Sequence, residues 1–129
     1  MTNTLSRPLL PEHEFGRIAI LFSGGPAPGA NAVISTAAVS FLRGNAEVFG
    51  ILYGYSQLMA YDGQTPLCLE RDYVMLDHAR LKRTRNTQGV MIGTARANPG
   101  ARVQAPEHYD DPERVAPLRT VYDALASLD

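Results

Sequence analysis

Tryptophan is absent, cysteine occurs once, and charged residues fill only 19% of the 129 positions. The single Cys68 cannot close an internal disulfide, and no Cys/His cluster has metal-ligand spacing. Met1–Phe15 holds no basic start followed by an apolar core, so a reducing, cytoplasmic setting is expected. Long apolar runs are missing as well. Ile18–Phe22 and Val48–Tyr53 are far too short to cross a bilayer, so no membrane partner is expected. Charge of one sign is scarce overall, and the net value of −1 gives no whole-surface attraction to nucleic acid or anionic lipid. What is present is enough apolar matter, 45%, for one globular domain.

The small total hides a segregation. From His78 to Pro106 there is no acidic residue, yet the stretch carries Arg80, Lys82, Arg83, Arg85, Arg96 and Arg102. The rest of the chain, with six basic against 13 acidic residues, carries −7. Such a tract is either a solvated face or a site for a phosphorylated small molecule. Nucleic acid fits less well, because no aromatic residue is interleaved to stack on bases.

Residues 1–15, with two prolines and no periodicity, read as an N-terminal arm, leaving 16–129 as the domain. Arg17–Phe22 reads as a strand buried on both faces of a parallel sheet, and Ser23–Gly29 as a turn. Small apolar residues from Ala30 to Leu42 predict a helix packed closely on that sheet, ended near Gly44-Asn45. Glu47–Tyr53 predicts a second strand, completing a βαβ unit. Beyond it the pattern predicts a short helix over 54–61, a strand over 65–70, a helical turn over 72–79 and a strand over 90–92. A loop follows over 93–100. Leu118, Val121, Tyr122, Leu125 and Leu128 recur at helical spacing behind Pro112 and Pro117. Strand–helix alternation calls for one more strand after this helix, so the sequence reads as truncated. The apolar stripe of the helix is then expected to favour self-association into a homo-oligomer.

Strand, glycine-rich turn and helix together aim backbone N–H groups and a helix N-terminus at an anion. Gly24 and Gly25 remove side chains where a phosphate oxygen must approach and tolerate positive φ. Pro26 and Pro28 stiffen the turn and remove two donors, leaving the N–H groups of Gly24, Gly25, Ala27, Gly29, Ala30 and Asn31. The turn is not a Walker A loop, since no Gly-Lys-Ser/Thr follows, and its glycines lack dinucleotide spacing. A merely tight strand-to-helix turn is the alternative. His13, His78 and His108 lie scattered and read as surface residues. Asp110-Asp111 before Pro112 reads as a helix cap, and Cys68 between two leucines as a buried thiol.

The run Ser23-Gly-Gly-Pro-Ala-Pro-Gly-Ala-Asn-Ala-Val-Ile34 resembles the first signature of the phosphofructokinases, both ATP- and diphosphate-dependent. Val48–Tyr55 is similar to the family's second strand and Gly-Tyr turn, and Gly93-Thr-Ala-Arg96 to its arginine-bearing loop. The resemblance covers roughly residues 17–128. It implies a three-layer α/β/α Rossmann-like fold, of which this chain is the N-terminal portion. It also implies transfer of a phosphoryl group from ATP or diphosphate to fructose 6-phosphate, with Mg²⁺, in glycolysis. By the same resemblance Gly24 lies against the donor phosphates, Gly25 supports the turn, Arg96 contacts the phosphates and Tyr55 stands near the nucleotide.

Four positions depart from the common bacterial ATP-dependent pattern: Pro26 replaces an aspartate, Ser35 and Val39 replace effector-binding arginines, and Ala97 replaces an aromatic. They lean toward diphosphate, or toward an unregulated ATP enzyme. The family's Gly-Gly-Asp metal loop and its catalytic base are expected after Asp129. No catalytic or metal residue is therefore assigned here, and the isolated chain is expected to be inactive. A non-catalytic phosphate- or nucleotide-binding module, or a regulatory subunit, is the competing reading.

Overall fold

A computed structural model describes residues 15–84 and 86–128; the predicted arm apart from Phe15, with His13, and Arg85 lie outside them. Three strands form one mixed sheet in the order β1 (Arg17–Ile20), β2 (Glu47–Ile51), β3 (Tyr73–Met75). β1 pairs parallel to β2, with Ile18 beside Val48 and Ile20 beside Gly50, and β2 pairs antiparallel to β3, with Gly50 beside Val74. The connections carry α1 (Ala30–Arg43) between β1 and β2, α2 (Ser56–Met59) before β3, and α3 (His78–Thr84) after it. A 3₁₀ turn at Pro106–Asp110 leads into α4 (Pro112–Ala126).

Both faces of β2 are covered, which makes the three layers. Val48 packs with Ile34 and Ala38 of α1, Leu81 of α3, Val74, Leu76 and Ile92. Ile51, on the opposite face, packs with Leu58 of α2 and Val121 and Ala124 of α4. Gly50 matters most here. A Cβ on it would stand 2.7 Å from Cγ2 of Ile92 and 3.2 Å from Leu76. Ile92 therefore rests directly on the backbone of the central strand.

Several local expectations are corrected. β1 is shorter than predicted and is an edge strand, alternately exposed and half-buried rather than buried on both faces. Leu21 and Phe22 fall beyond it and pack on opposite sides of the sheet. The second strand stops at Ile51, because residues 52–55 turn. No strand forms over 65–70 apart from a single bridge from Leu69 to Tyr73. There the Asp62 carboxylate takes the N–H groups of Gln64 and Thr65 at 2.8 and 2.7 Å, a side-chain turn that competes with a ladder. The predicted helical turn over 72–79 is instead strand β3 followed by the start of α3, since Tyr73-Val-Met pairs with the exposed edge of β2. Residues 90–92 form a turn closed by the Gly93 N–H on the Val90 carbonyl, although Ile92 is buried as a strand residue would be.

The last helix starts at Pro112 with Asp111 as its N-cap, its side chain accepting the Glu113 N–H at 3.1 Å as expected. Its stripe is partly covered: Val121 and Ala124 are buried, while Tyr122 and Leu125 are exposed. Cys68 is exposed, contrary to expectation, because Leu67–Leu69 lies in surface loop. Its N–H donates to the buried carboxylate of Asp72 at 2.8 Å. Among the described residues no helix is long and apolar enough to cross a membrane.

Two outcomes are expected. Gly50→Ala overpacks the Ile92 contact and should lower the unfolding free energy by about 1–3 kcal/mol in denaturant titration. Asp72 is held below the usual carboxylate range by the Arg71 hydrogen bond and by the Cys68 N–H, against the opposing effect of burial. A lowered folded pKa stabilises above the unfolded value of about 3.9 and is lost as pH falls through the folded one. Asp72→Asn should therefore flatten the acid limb of a melting profile below about pH 4. The effect is expected to be modest, because the Arg71 partner is largely exposed.

Candidate functional site

Three loops meet at the ends of β1 and β2: residues 22–29, 52–55 and 93–96. The Gly24 N–H donates to the Ala95 carbonyl at 3.0 Å, and the buried Gly25 N–H to Thr94 Oγ1 at 3.1 Å. Ser23 Oγ also reaches the Ala95 carbonyl, at 3.3 Å. Gly54, in the second loop, lies against the third and first: a Cβ there would meet the Phe22 carbonyl at 3.1 Å and the Ala95 nitrogen at 3.3 Å.

Arg96 is brought onto the glycine turn. A Cβ on Gly25 would stand 3.0 Å from its Nη2 and 3.3 Å from its Cζ and Nε, so the guanidinium covers a bare backbone. Gly24, with φ of 109°, has nothing within 4 Å of where its Cβ would be. The space above the turn is therefore open at Gly24 and floored by Arg96 at Gly25. Five other arginines are paired: Arg17 with Glu47, Arg71 with Asp72, Arg80 with Glu70, Arg114 with Asp111 and Arg119 with Asp123. Among the described residues no carboxylate pairs with Arg96, and its charge stays available to a ligand.

The helix beyond the turn has the matching polarity. α1 starts from Gly29, left-handed at φ 77°, with no side-chain cap and no acidic residue in its first turn. Its positive end is thus unneutralised, in contrast to the Asp111-capped α4. The donor set is smaller than the sequence suggests. The N–H groups of Gly24 and Gly25 are engaged in holding the loops, and Ala30 donates to the Ala27 carbonyl at 3.3 Å. For the N–H groups of Ala27 and Gly29 no partner occurs among the described residues.

Of the residues singled out in the sequence, Gly24, Gly25 and Arg96 come together. Tyr55 instead is half-buried against the α2–α4 cluster, with its carbonyl accepting the Met59 N–H. The basic tract does not converge: Arg80 forms a two-pronged pair with Glu70, and Lys82, Arg83 and Arg102 are exposed elsewhere. His78 opens α3 at the surface, and His108 Nδ1 accepts the Gln104 N–H.

Sequence reasoning missed the residues that fasten the loops. Thr94 is one, although it stands inside the Gly-Thr-x-Arg run. Asn31 is another: Nδ2 donates to the carbonyls of Thr87 and Gly89, and Oδ1 accepts the Met91 N–H at 2.6 Å. Tyr53 is the third, exposed and with φ of 58°. Its only sequence signal is an aromatic placed before Gly54, where asparagine is the usual residue.

The family model of phosphofructokinase matches residues 17–116, which include all three loops. The chain belongs to the phosphofructokinase family. It is 34% identical over 83 residues to a pyrophosphate–fructose 6-phosphate 1-phosphotransferase of Thermotoga maritima, covering 64% of this chain and 18% of that protein. It is 38% identical over 80 residues to an ATP-dependent 6-phosphofructokinase of Buchnera aphidicola, covering 62% and 22%. A third phosphofructokinase, the ATP-dependent protein of Lacticaseibacillus casei, is 34% identical over 88 residues, covering 64% and 28%. The chain thus spans a quarter or so of the length of these relatives at most. Relatives named for diphosphate and for ATP are both among the proteins it resembles.

Thr94→Val removes the acceptor of a buried N–H. It should lower stability by about 1–3 kcal/mol and speed amide exchange at Gly25 selectively, as read by denaturation and NMR.

Proposed function

We propose that the Gly24–Gly25 turn, the uncapped start of α1 and Arg96 hold the phosphates of the donor in a 6-phosphofructokinase reaction, with fructose 6-phosphate as acceptor. The observation that carries this reading is the Arg96 guanidinium lying against Gly25 without a carboxylate partner among the described residues. A planar, always-cationic fork beside a bare backbone and a helix N-terminus suits a polyphosphate. Phosphoryl transfer depends on positioning and charge stabilisation, and these residues supply the donor side of both. The contacts address phosphate groups common to ATP and diphosphate, while Ala97 offers no ring for an adenine to stack on.

The residues present do not fit Mg²⁺, which takes oxygen ligands and usually one or two carboxylates. Segments 22–31, 53–56 and 93–98 contain no aspartate or glutamate, and no metal-binding group of three occurs among the described residues. The same segments hold no carboxylate to take a proton from a sugar hydroxyl. On this reading the 129-residue chain binds donor without turning it over. The whole enzyme would be a cytoplasmic, homo-oligomeric protein of glycolysis, to which this chain contributes the donor-phosphate half.

Calorimetric titration with diphosphate and with ATP tests the site. Arg96→Ala should weaken binding about ten- to a hundredfold, and Arg96→Lys should restore only part of it. Gly24→Val should abolish binding in a chain that still folds by circular dichroism, because its side chain enters the open space. Undiminished affinity in either Arg96→Ala or Gly24→Val overturns the assignment. Purified chain with fructose 6-phosphate, Mg²⁺ and either donor should form no fructose 1,6-bisphosphate. Turnover that Gly24→Val removes would return catalysis to this chain.

A further inference from the structure

We infer that Tyr53 is a positioning residue that holds the Arg96 loop over the glycine turn, an inference that rests on reading this turn as the donor-phosphate site. Tyr53 and Gly54 adopt φ of 58° and 59°, two left-handed residues in succession. Asparagine, aspartate or glycine adopts the first of these positions readily, and a bulky aromatic does not. A residue stays in such a conformation only where its surroundings fix it.

The surroundings are the loop that carries Arg96. The Tyr53 N–H donates to the Ile92 carbonyl at 3.0 Å. Its ring lies on Gly93, where a Cβ would stand 2.7 Å from Cδ1 and 2.9 Å from Cε1. Gly93 itself has φ of 68°. The next residue, Gly54, touches the Ala95 backbone and the Phe22 carbonyl. Burial does not explain the ring, which is 52% exposed. What it does is cap Gly93 from outside while Ile92 is fixed from inside on Gly50. Residues 92 and 93 are thus gripped on both sides, and Thr94, Ala95 and Arg96 follow in the direction that meets Gly24 and Gly25.

Replacing Tyr53 with asparagine separates this role from plain packing, because asparagine suits the backbone but lacks the ring. The Tyr53→Asn chain should melt at or above the wild-type temperature. Its Gly24 and Gly25 amides, which donate to Ala95 and Thr94, should nevertheless exchange about tenfold faster, with diphosphate affinity about tenfold weaker. Tyr53→Phe keeps the ring and should behave as wild type in all three measurements. Wild-type exchange in Tyr53→Asn overturns the inference, as does failure of the phenylalanine to rescue. So does a loss of binding that merely tracks a lowered melting temperature. Arg96→Ala is titrated alongside. If it binds diphosphate normally, the donor-site reading fails, while amide exchange still decides whether Tyr53 holds the loop.

Discussion

Gly50 lies near the end of the central strand, and its missing side chain lets Ile92 settle onto the backbone of β2. The segment from Val90 to Arg96 has no regular structure and no ladder of its own to fix it. It is placed instead by one buried isoleucine on a bare glycine, by the Asn31 amide upstream and by Tyr53 outside. Interiors are packed too closely to let such a contact drift. The site therefore depends on a contact made below it, on the face of the sheet. Arg96 reaches Gly25 because Ile92 reaches Gly50.

The architecture was largely legible. A short apolar run, a glycine turn, a helix of small residues and a second apolar run are local signals, and they gave β1, α1 and β2 in order. The capping role of Asp111 was legible for the same reason, since a cap is decided within three residues. What was not legible depends on partners distant in sequence. Tyr73–Met75 is too short to announce a strand, and becomes one only because β2 offers an edge. Val90–Ile92 has the composition of a strand but no neighbour to pair with, so it turns while Ile92 is still buried.

The site divides along the same line. Gly24, Gly25 and Arg96 could be named from their motifs, because residue type alone states what each can do for a phosphate. That Arg96 covers Gly25 rather than Gly24 is a matter of tertiary geometry. Tyr55 was singled out by resemblance to the family's Gly-Tyr turn; it is half-buried against the core, and the tyrosine displayed at the loops is Tyr53. The basic tract was legible as charge but not as a site. Arg80 is neutralised by Glu70, from before the tract, and of the described cations only Arg96 is brought onto the glycine turn.

The uncapped start of α1 has a consequence for folding as well as for recognition. A 14-residue helix whose first turn has neither a side-chain acceptor nor an acidic residue carries an uncompensated positive end, and of its leading N–H groups that of Ala30 turns back to the Ala27 carbonyl. An anion held there, as proposed, would supply the acceptor that the sequence omits. It would bind only the folded chain, so it would shift the folding equilibrium by RT ln(1 + [L]/Kd), about 2.7 kcal/mol at a hundredfold excess over Kd. On the proposed reading, dissolved phosphate would then be part of what keeps α1 wound, and the concentration of a small metabolite would enter the lifetime of the fold.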